Sequence, residues 1–373
     1  MVFIVELKER VLQAYEDLHQ IPEVGFEEVK TSAYLAEKLH SFGYEVTTGY
    51  GGTGVVGKLK GKEAGPKVGL RADMDALGHE IDGQKVAIHS CGHDAHSSMV
   101  LAAAEELAKK GIDRGEVQIL FQPAEECLFG AIRMIEDGAG KDLDMLFGIH
   151  LRPGQEAKLG QITPALHHGS SYVVKAHIEG KTAHGARPHL GINAIHGASA
   201  VIQAVLAIFP DPVIPSSIKA TQIKGGGPVA NAIPASAEIT FDVRSRQNDA
   251  MEAILEKMKV AIEQGAAAVG ATGRIEVVGG VPAAEYDSEM TELAKEAIVE
   301  ILGKEGLMDE MVTPGGEDFH FFTQKIPNLK TGYLGLGCDL TPGLHDPKMS
   351  FDKSALEIGA KALVSVVEKA LKR

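Results

Sequence analysis

The segment His89-Ser90-Cys91-Gly92-His93-Asp94-Ala95-His96 brings together a thiol, several imidazoles and a carboxylate just before an apolar stretch that reads as a helix. Sulfur and imidazole crowded in this way suit zinc and similar transition ions. A second dense point follows at Pro123-Ala124-Glu125-Glu126. Paired carboxylates can divide their labour. One binds an ion while the other takes a proton from a water whose pKa that ion has lowered. Each feature has a bland counterpart. Cys91 and His93 can be a buried thiol beside ordinary histidines, and Glu125-Glu126 can be a solvated acidic turn. His150, after Phe147-Gly148-Ile149, and His345, in Gly343-Leu344-His345-Asp346-Pro347, gain weight only by converging with Cys91 and His93.

Convergence requires elements that carry distant residues to one place. Helical spacing of apolar residues runs over about 4–20 and 28–42, with Pro22 and Gly25 between them. Short apolar runs at Val55–Gly57, Val68–Leu70, Val117–Phe121 and Met145–Ile149 alternate with helical stretches near 96–110 and 129–137. Such alternation predicts an α/β domain with a largely buried sheet. Arg71-Ala72-Asp73-Met74-Asp75, Gln122-Pro123-Ala124-Glu125-Glu126 and His150 each follow a predicted strand, where open α/β sheets collect ligands.

The middle of the chain follows another pattern. Strands are expected at 171–179, 217–224, 235–243 and 274–278, with helices at 192–208 and 249–269. That order is β-α-β-β-α-β, a ferredoxin-like unit. It predicts a domain at 168–285 inserted into a discontinuous domain of residues 1–167 and 286–373, which ends in a helix near 352–372. Between the inserted domain's first strand and first helix lies Lys181-Thr182-Ala183-His184-Gly185-Ala186. It reads either as an ordinary polar loop or as one that offers His184 to a developing oxyanion. Gly225-Gly226-Gly227 leads to Asn231, a tight turn or a substrate-binding amide.

Composition narrows the function classes. A chain of 373 residues exceeds the usual span of one core. The formal net charge of −14 argues against nucleic acid and against basic docking to a membrane. No apolar run approaches a membrane span, and the start of the chain lacks the pattern of a signal peptide. Three cysteines make no disulfide framework and point to the cytoplasm.

Taken together, the motifs resemble the metal-dependent aminoacylase and carboxypeptidase family, in particular its amidohydrolase branch. That branch includes N-acyl-amino-acid amidohydrolases, N-acetyl-diaminopimelate deacetylases and auxin-conjugate hydrolases. The resemblance runs through His19–Glu23 with Gly25–Glu28, Arg71–Leu77, His89–His96, Gln122–Glu126, Gly148–His150, Ala230–Pro234, Gly316–Phe319 and Leu344–Pro347. It implies a two-metal, exopeptidase-like α/β catalytic domain with the inserted unit as a lid and dimerisation domain. By the same resemblance Cys91, His93, Glu126, His150 and His345 match metal ligands and Glu125 the general base. Asp75 matches a supporting acid, and His184, Asn231 and Arg244 match substrate contacts. In dimeric relatives the residue matching His184 reaches the partner subunit's site. Two divalent ions per subunit are implied, from among zinc, manganese, cobalt and nickel, with a homodimer through the lid. Departures from the family's usual pattern fall at Gly78–Gly83, at Ser90 and at Ala183–Ala186.

The implied reaction is hydrolysis of the amide bond of N-acyl amino acids. An exopeptidase acting on small peptides breaks the same bond type. A non-catalytic protein that binds metal or acyl-amino acids is the reading from another class.

Overall fold

The structure, a computed structural model, describes residues 6–373. The start of the first expected helix, Ile4 and Val5, lies outside them, as does the beginning of the segment read for a signal peptide. Two compact units are present. One comprises the described residues up to His167 with Glu285–Thr313 and Glu317–Arg373; the other comprises His168–Ala284 with Pro314–Gly316.

The first unit is built on a seven-stranded sheet, in the order Glu45–Tyr50, Gly54–Lys60, Arg114–Gln122, Glu63–Asp73, Met145–Pro153, Lys330–Leu340, Ile162–Thr163. Its four central strands, from Arg114–Gln122 to Lys330–Leu340, are mutually parallel; Gly54–Lys60 and Ile162–Thr163 pair antiparallel to them, and Glu45–Tyr50 pairs antiparallel to Gly54–Lys60. Every residue of Met145–Pro153 is buried, as a strand covered on both faces requires. Helix Leu7–His19 explains its own placement. Val11, Ala14, Tyr15 and Leu18 recur at helical spacing and all are buried. They join His93–Lys110, Ser288–Leu302 and Ala355–Ala370 in a core that includes Met99, Leu293, Leu363 and Phe147.

Two elements of this unit differ from the expectation. Glu45–Tyr50 is an edge strand whose polar sequence carries little alternation. Leu77–Ile81 and Gln84–Ile88 form a hairpin around Asp82-Gly83, both at positive φ. Asp-Gly is a strong hairpin signal, so this turn was available in the sequence.

The second unit is a four-stranded antiparallel sheet, ordered Ser216–Gly225, Ser236–Ser245, Ser170–Glu179, Thr272–Val281, with helices Ala194–Leu206 and Asn248–Ala267. Its chain order is β-α-β-β-α-β. Val174, Ala176 and Ile178 alternate into its core with Ile239, Phe241 and Val243 of the adjacent strand. Asn193 caps the first helix, accepting from Ile195 N at 2.9 Å. Among the described residues no helix is long and apolar enough to cross a membrane.

Candidate metal centre

The C-terminal ends of the parallel strands and the loops beyond them bring the sequence-predicted donors of the first unit together. Gly92 stands between Cys91 and His93 at φ +84, a left-handed turn that opens helix His93–Lys110. Donor atoms of Cys91, His93 and His150 lie within 4.8 Å of one another; so do those of Cys91, Glu126 and His345, and those of His93, Glu125 and Glu126. Cys91 Sγ is 3.6 Å from His150 Nε2, and His345 Nε2 is 3.4 Å from Glu126 Oε1. Cys91, His93, Glu125 and His150 are buried, while His345 is exposed at φ +66. The loop carrying His345 is tied to the first knot by its backbone N–H, which donates to Ser90 O at 2.7 Å.

Hydrogen bonds decide which ring nitrogen each histidine offers. His93 Nδ1 donates to Asp75 Oδ1 at 3.0 Å, leaving Nε2 to face the cluster. His150 Nδ1 donates to Leu151 O at 2.7 Å, which likewise frees Nε2. Asp75 serves twice, since its other oxygen accepts from Glu126 N at 3.0 Å. Oriented imidazoles of this kind are typical of metal ligands. Burial, reinforced by His96 and Arg152, pushes His150 well below the usual imidazole range, so it is neutral as a ligand must be.

The donors fit a cation. His93 Nε2 and Glu126 Oε1 are buried with no hydrogen-bond partner. Around His93 Nε2, oxygens of Asp73, Glu125 and Glu126 stand at 3.8–3.9 Å, too far to bond directly. Donors sharing an ion at bond lengths near 2.0–2.3 Å stand apart by about this much. Burial alone would strip His93 of charge, yet Asp73, Cys91 and Asp75 outweigh it and hold its proton well above the usual range. The acids around His93 therefore favour positive charge at its ring. Burial pushes the Cys91 thiol up to about 12, so an ion bound through its sulfur would have to displace its proton.

Glu125 sits against the same cluster. Burial first, then the carboxylates of Glu317, Asp318 and Glu126, push it well above the usual carboxylate range. A carboxyl that readily holds a proton suits a shuttle. Behind it lies a network that sequence reasoning missed. The fully buried Arg71 guanidinium binds Asp73 at 2.8 Å, Asp318 at 2.9 Å and Glu317 at 3.0 Å, and its Nε donates to Gln122 at 2.8 Å. Tyr333 donates to Glu317 at 2.7 Å. Arg71 and Asp73 lie in the segment Arg71–Leu77 and Glu317-Asp318 in Gly316–Phe319, but nothing in their spacing announces the contact. His96 has a structural place. Its Nε2 accepts from Leu151 N at 3.0 Å and its Nδ1 donates to Asp73 at 2.7 Å. Both ring nitrogens of buried His89 lack partners.

The remaining predicted residues belong to the second unit. Ala183–His184 pairs with Ala232–Ile233, and Gly185 N donates to Asn231 O at 2.6 Å, so His184 and Asn231 are neighbours. His184 Nδ1 accepts from Ala186 N at 3.1 Å, which leaves Nε2–H as an exposed donor. Arg244, also exposed, pairs with Asp242 at 3.1 Å and donates to Pro314 O at 3.4 Å.

Known proteins resemble this chain along nearly its whole length. The sequence model of peptidase family M20/M25/M40 matches residues 69–369. An N-acetyl-L-cysteine deacetylase of Bacillus subtilis (strain 168) is 31% identical over 366 residues, covering 94% of this chain and 85% of the relative. Thermostable carboxypeptidase 1 of Saccharolobus solfataricus is 32% identical over 376 residues, covering 96% and 94%. A solved Bacillus subtilis structure, described as a dinuclear metal binding peptidase from the M20 family, superposes with a TM-score of 0.80 at 27% identity and covers 98% of this chain and 99% of its own.

Proposed function

The chain belongs to peptidase family M20/M25/M40, and on that premise we propose that it hydrolyses the amide bond of N-acyl amino acids at a site built for two divalent ions. The observation that carries this reading is a convergent donor set, the buried Cys91, His93 and His150 with the half-buried Glu126 and the exposed His345, and the proton-holding Glu125 against it. The donors form two groups that share Cys91, which supports two ions rather than one. Zinc, manganese, cobalt and nickel all suit sulfur, imidazole and carboxylate.

A divalent ion bound there lowers the pKa of water and polarises a carbonyl oxygen. Glu125 removes the proton of the attacking water and then delivers it to the leaving amine nitrogen. Asp75 keeps His93 in the ligating tautomer and fixes the Glu126 backbone. His184 donates from Nε2 to the oxyanion, and Asn231 and Arg244 bind the substrate. In this reading the first unit is catalytic and the second is a lid that also forms a homodimer. Three free cysteines suit a reducing cytoplasm.

An exopeptidase reading is kept by the similarity to a carboxypeptidase. Release of free amine from N-acetyl amino acids and from dipeptides, with each of the four ions supplied in turn, separates the readings. Faster cleavage of the N-acetyl compounds is expected. Faster cleavage of dipeptides would favour the exopeptidase, and binding with no amine released under any ion would favour a non-catalytic binder.

A further inference from the structure

One fully buried carboxylate outside the donor set is aimed at the turn that carries Glu125 and Glu126. Glu28 has no exposed surface. It occupies the N-cap of helix Val29–Ser41, yet its side chain makes no capping bond. Glu23 performs that task instead, accepting from Lys30 N at 2.9 Å, from Thr31 N at 3.0 Å and from Thr31 Oγ1 at 3.0 Å. The helix start is therefore served without Glu28. Released from it, Glu28 Oε1 accepts from Ala124 N at 2.8 Å, and Oε2 accepts from Thr53 Oγ1 at 2.7 Å.

Ala124 is the residue that needs holding. Its φ of +52 is left-handed, a conformation that residues with a Cβ keep only when their surroundings enforce it. Glu125 and Glu126 follow it directly, so the torsion at Ala124 sets where both carboxylates point. The segment that bears Glu28 also abuts this turn. A Cβ on Gly25 would lie 2.7 Å from Cys127 Sγ and 3.0 Å from Ala124 Cα. Burying a carboxylate is costly unless it is well bonded. Here both bonds run to loops, and one of those loops bears the candidate base.

We propose that Glu28 is a positioning residue, which holds Ala124 in its left-handed conformation and thereby aims Glu125 and Glu126 at the ion cluster. The inference rests on the reading of Glu125 as base and Glu126 as ligand. Its chemistry calls for reach and hydrogen bonding, not charge. In Glu28→Gln, Oε1 still accepts from Ala124 N–H, and Nε2 donates to a rotated Thr53 hydroxyl. In Glu28→Asp the charge stays, but the side chain is one methylene too short to span both partners.

The test compares these two variants in the full chain loaded with cobalt(II). The readouts are kcat and KM on an N-acetyl amino acid and the visible spectrum of the bound cobalt. Glu28→Gln is expected to keep kcat within about twofold and to keep the wild-type spectrum. Glu28→Asp is expected to lose about tenfold or more in kcat, with KM nearly unchanged and shifted cobalt bands, the usual scale for a partner behind a ligand. Wild-type kcat and spectrum in Glu28→Asp would overturn the proposal. So would a Glu28→Gln variant as impaired as Glu28→Asp, since charge would then be the requirement. If the wild-type chain released no amine, the hydrolase reading would fail, while the cobalt spectra would still decide the role of Glu28.

Discussion

In the first unit, His93 is fixed by Asp75, His150 by a backbone carbonyl, and three carboxylates by the single guanidinium of Arg71. In the second, His184 and Asn231 are exposed on a two-stranded ribbon joined by backbone bonds, and Arg244 leans on one half-buried carboxylate. The difference is one of preorganisation. Donors proposed to share an ion are already held in place by their neighbours, because each misplaced buried charge is expensive. Groups proposed to meet a substrate stay solvated and adjustable. Ion binding and substrate contact should therefore be separable by mutation.

The largest effect tests the locked region. Arg71→Met leaves Asp73, Glu317 and Asp318 buried without their cation, and denaturant unfolding should show a loss of about 3–5 kcal/mol. An unchanged midpoint and slope would mean that the network is not holding the strand ends together. Next comes the exposed region. His184→Ala should cost about 10²-fold in kcat, as loss of an oxyanion donor does, with ion affinity unchanged in chelator competition. Weakened ion affinity would break the separation.

A smaller effect per step comes from protons. Burial holds the Cys91 thiol at about 12 in the ion-free chain, and ligation requires the thiolate. The ion-free state thus carries the proton and the loaded state does not, so affinity rises with pH. Calorimetry in buffers of differing ionisation enthalpy should show at least one proton released, with affinity gaining about tenfold per pH unit between pH 6 and 8. Affinity independent of pH would remove Cys91 from the ligands. The smallest effect concerns the second unit's frame, where Asn193→Ala removes a helix cap. It should cost about 1 kcal/mol of stability and leave ion affinity untouched.

Much of this contrast was legible in the sequence, and for physical reasons. Cys91, His93 and the paired Glu125 and Glu126 are concentrated in short segments, and the strand pattern placed them at one end of a sheet. The inserted fold was legible because Val174, Ala176 and Ile178 alternate against Ile239, Phe241 and Val243. What stayed hidden was long-range. Arg71 meets Asp318 across 247 residues, and neither spacing nor composition marks that pair. Glu28 looked like the start of a helix, and only its direction in space gives it another task. The tautomers of His93 and His150 likewise depend on Asp75 and on a backbone carbonyl, which no linear motif records.

The central claim is that Glu125 moves the proton while its neighbours hold the ions. The most direct measurement is kcat of Glu125→Gln on an N-acetyl amino acid, with bound metal quantified in the same sample. A loss of at least about 10²-fold with full metal content is predicted. Near-normal turnover with the metal retained would contradict Glu125 as the base.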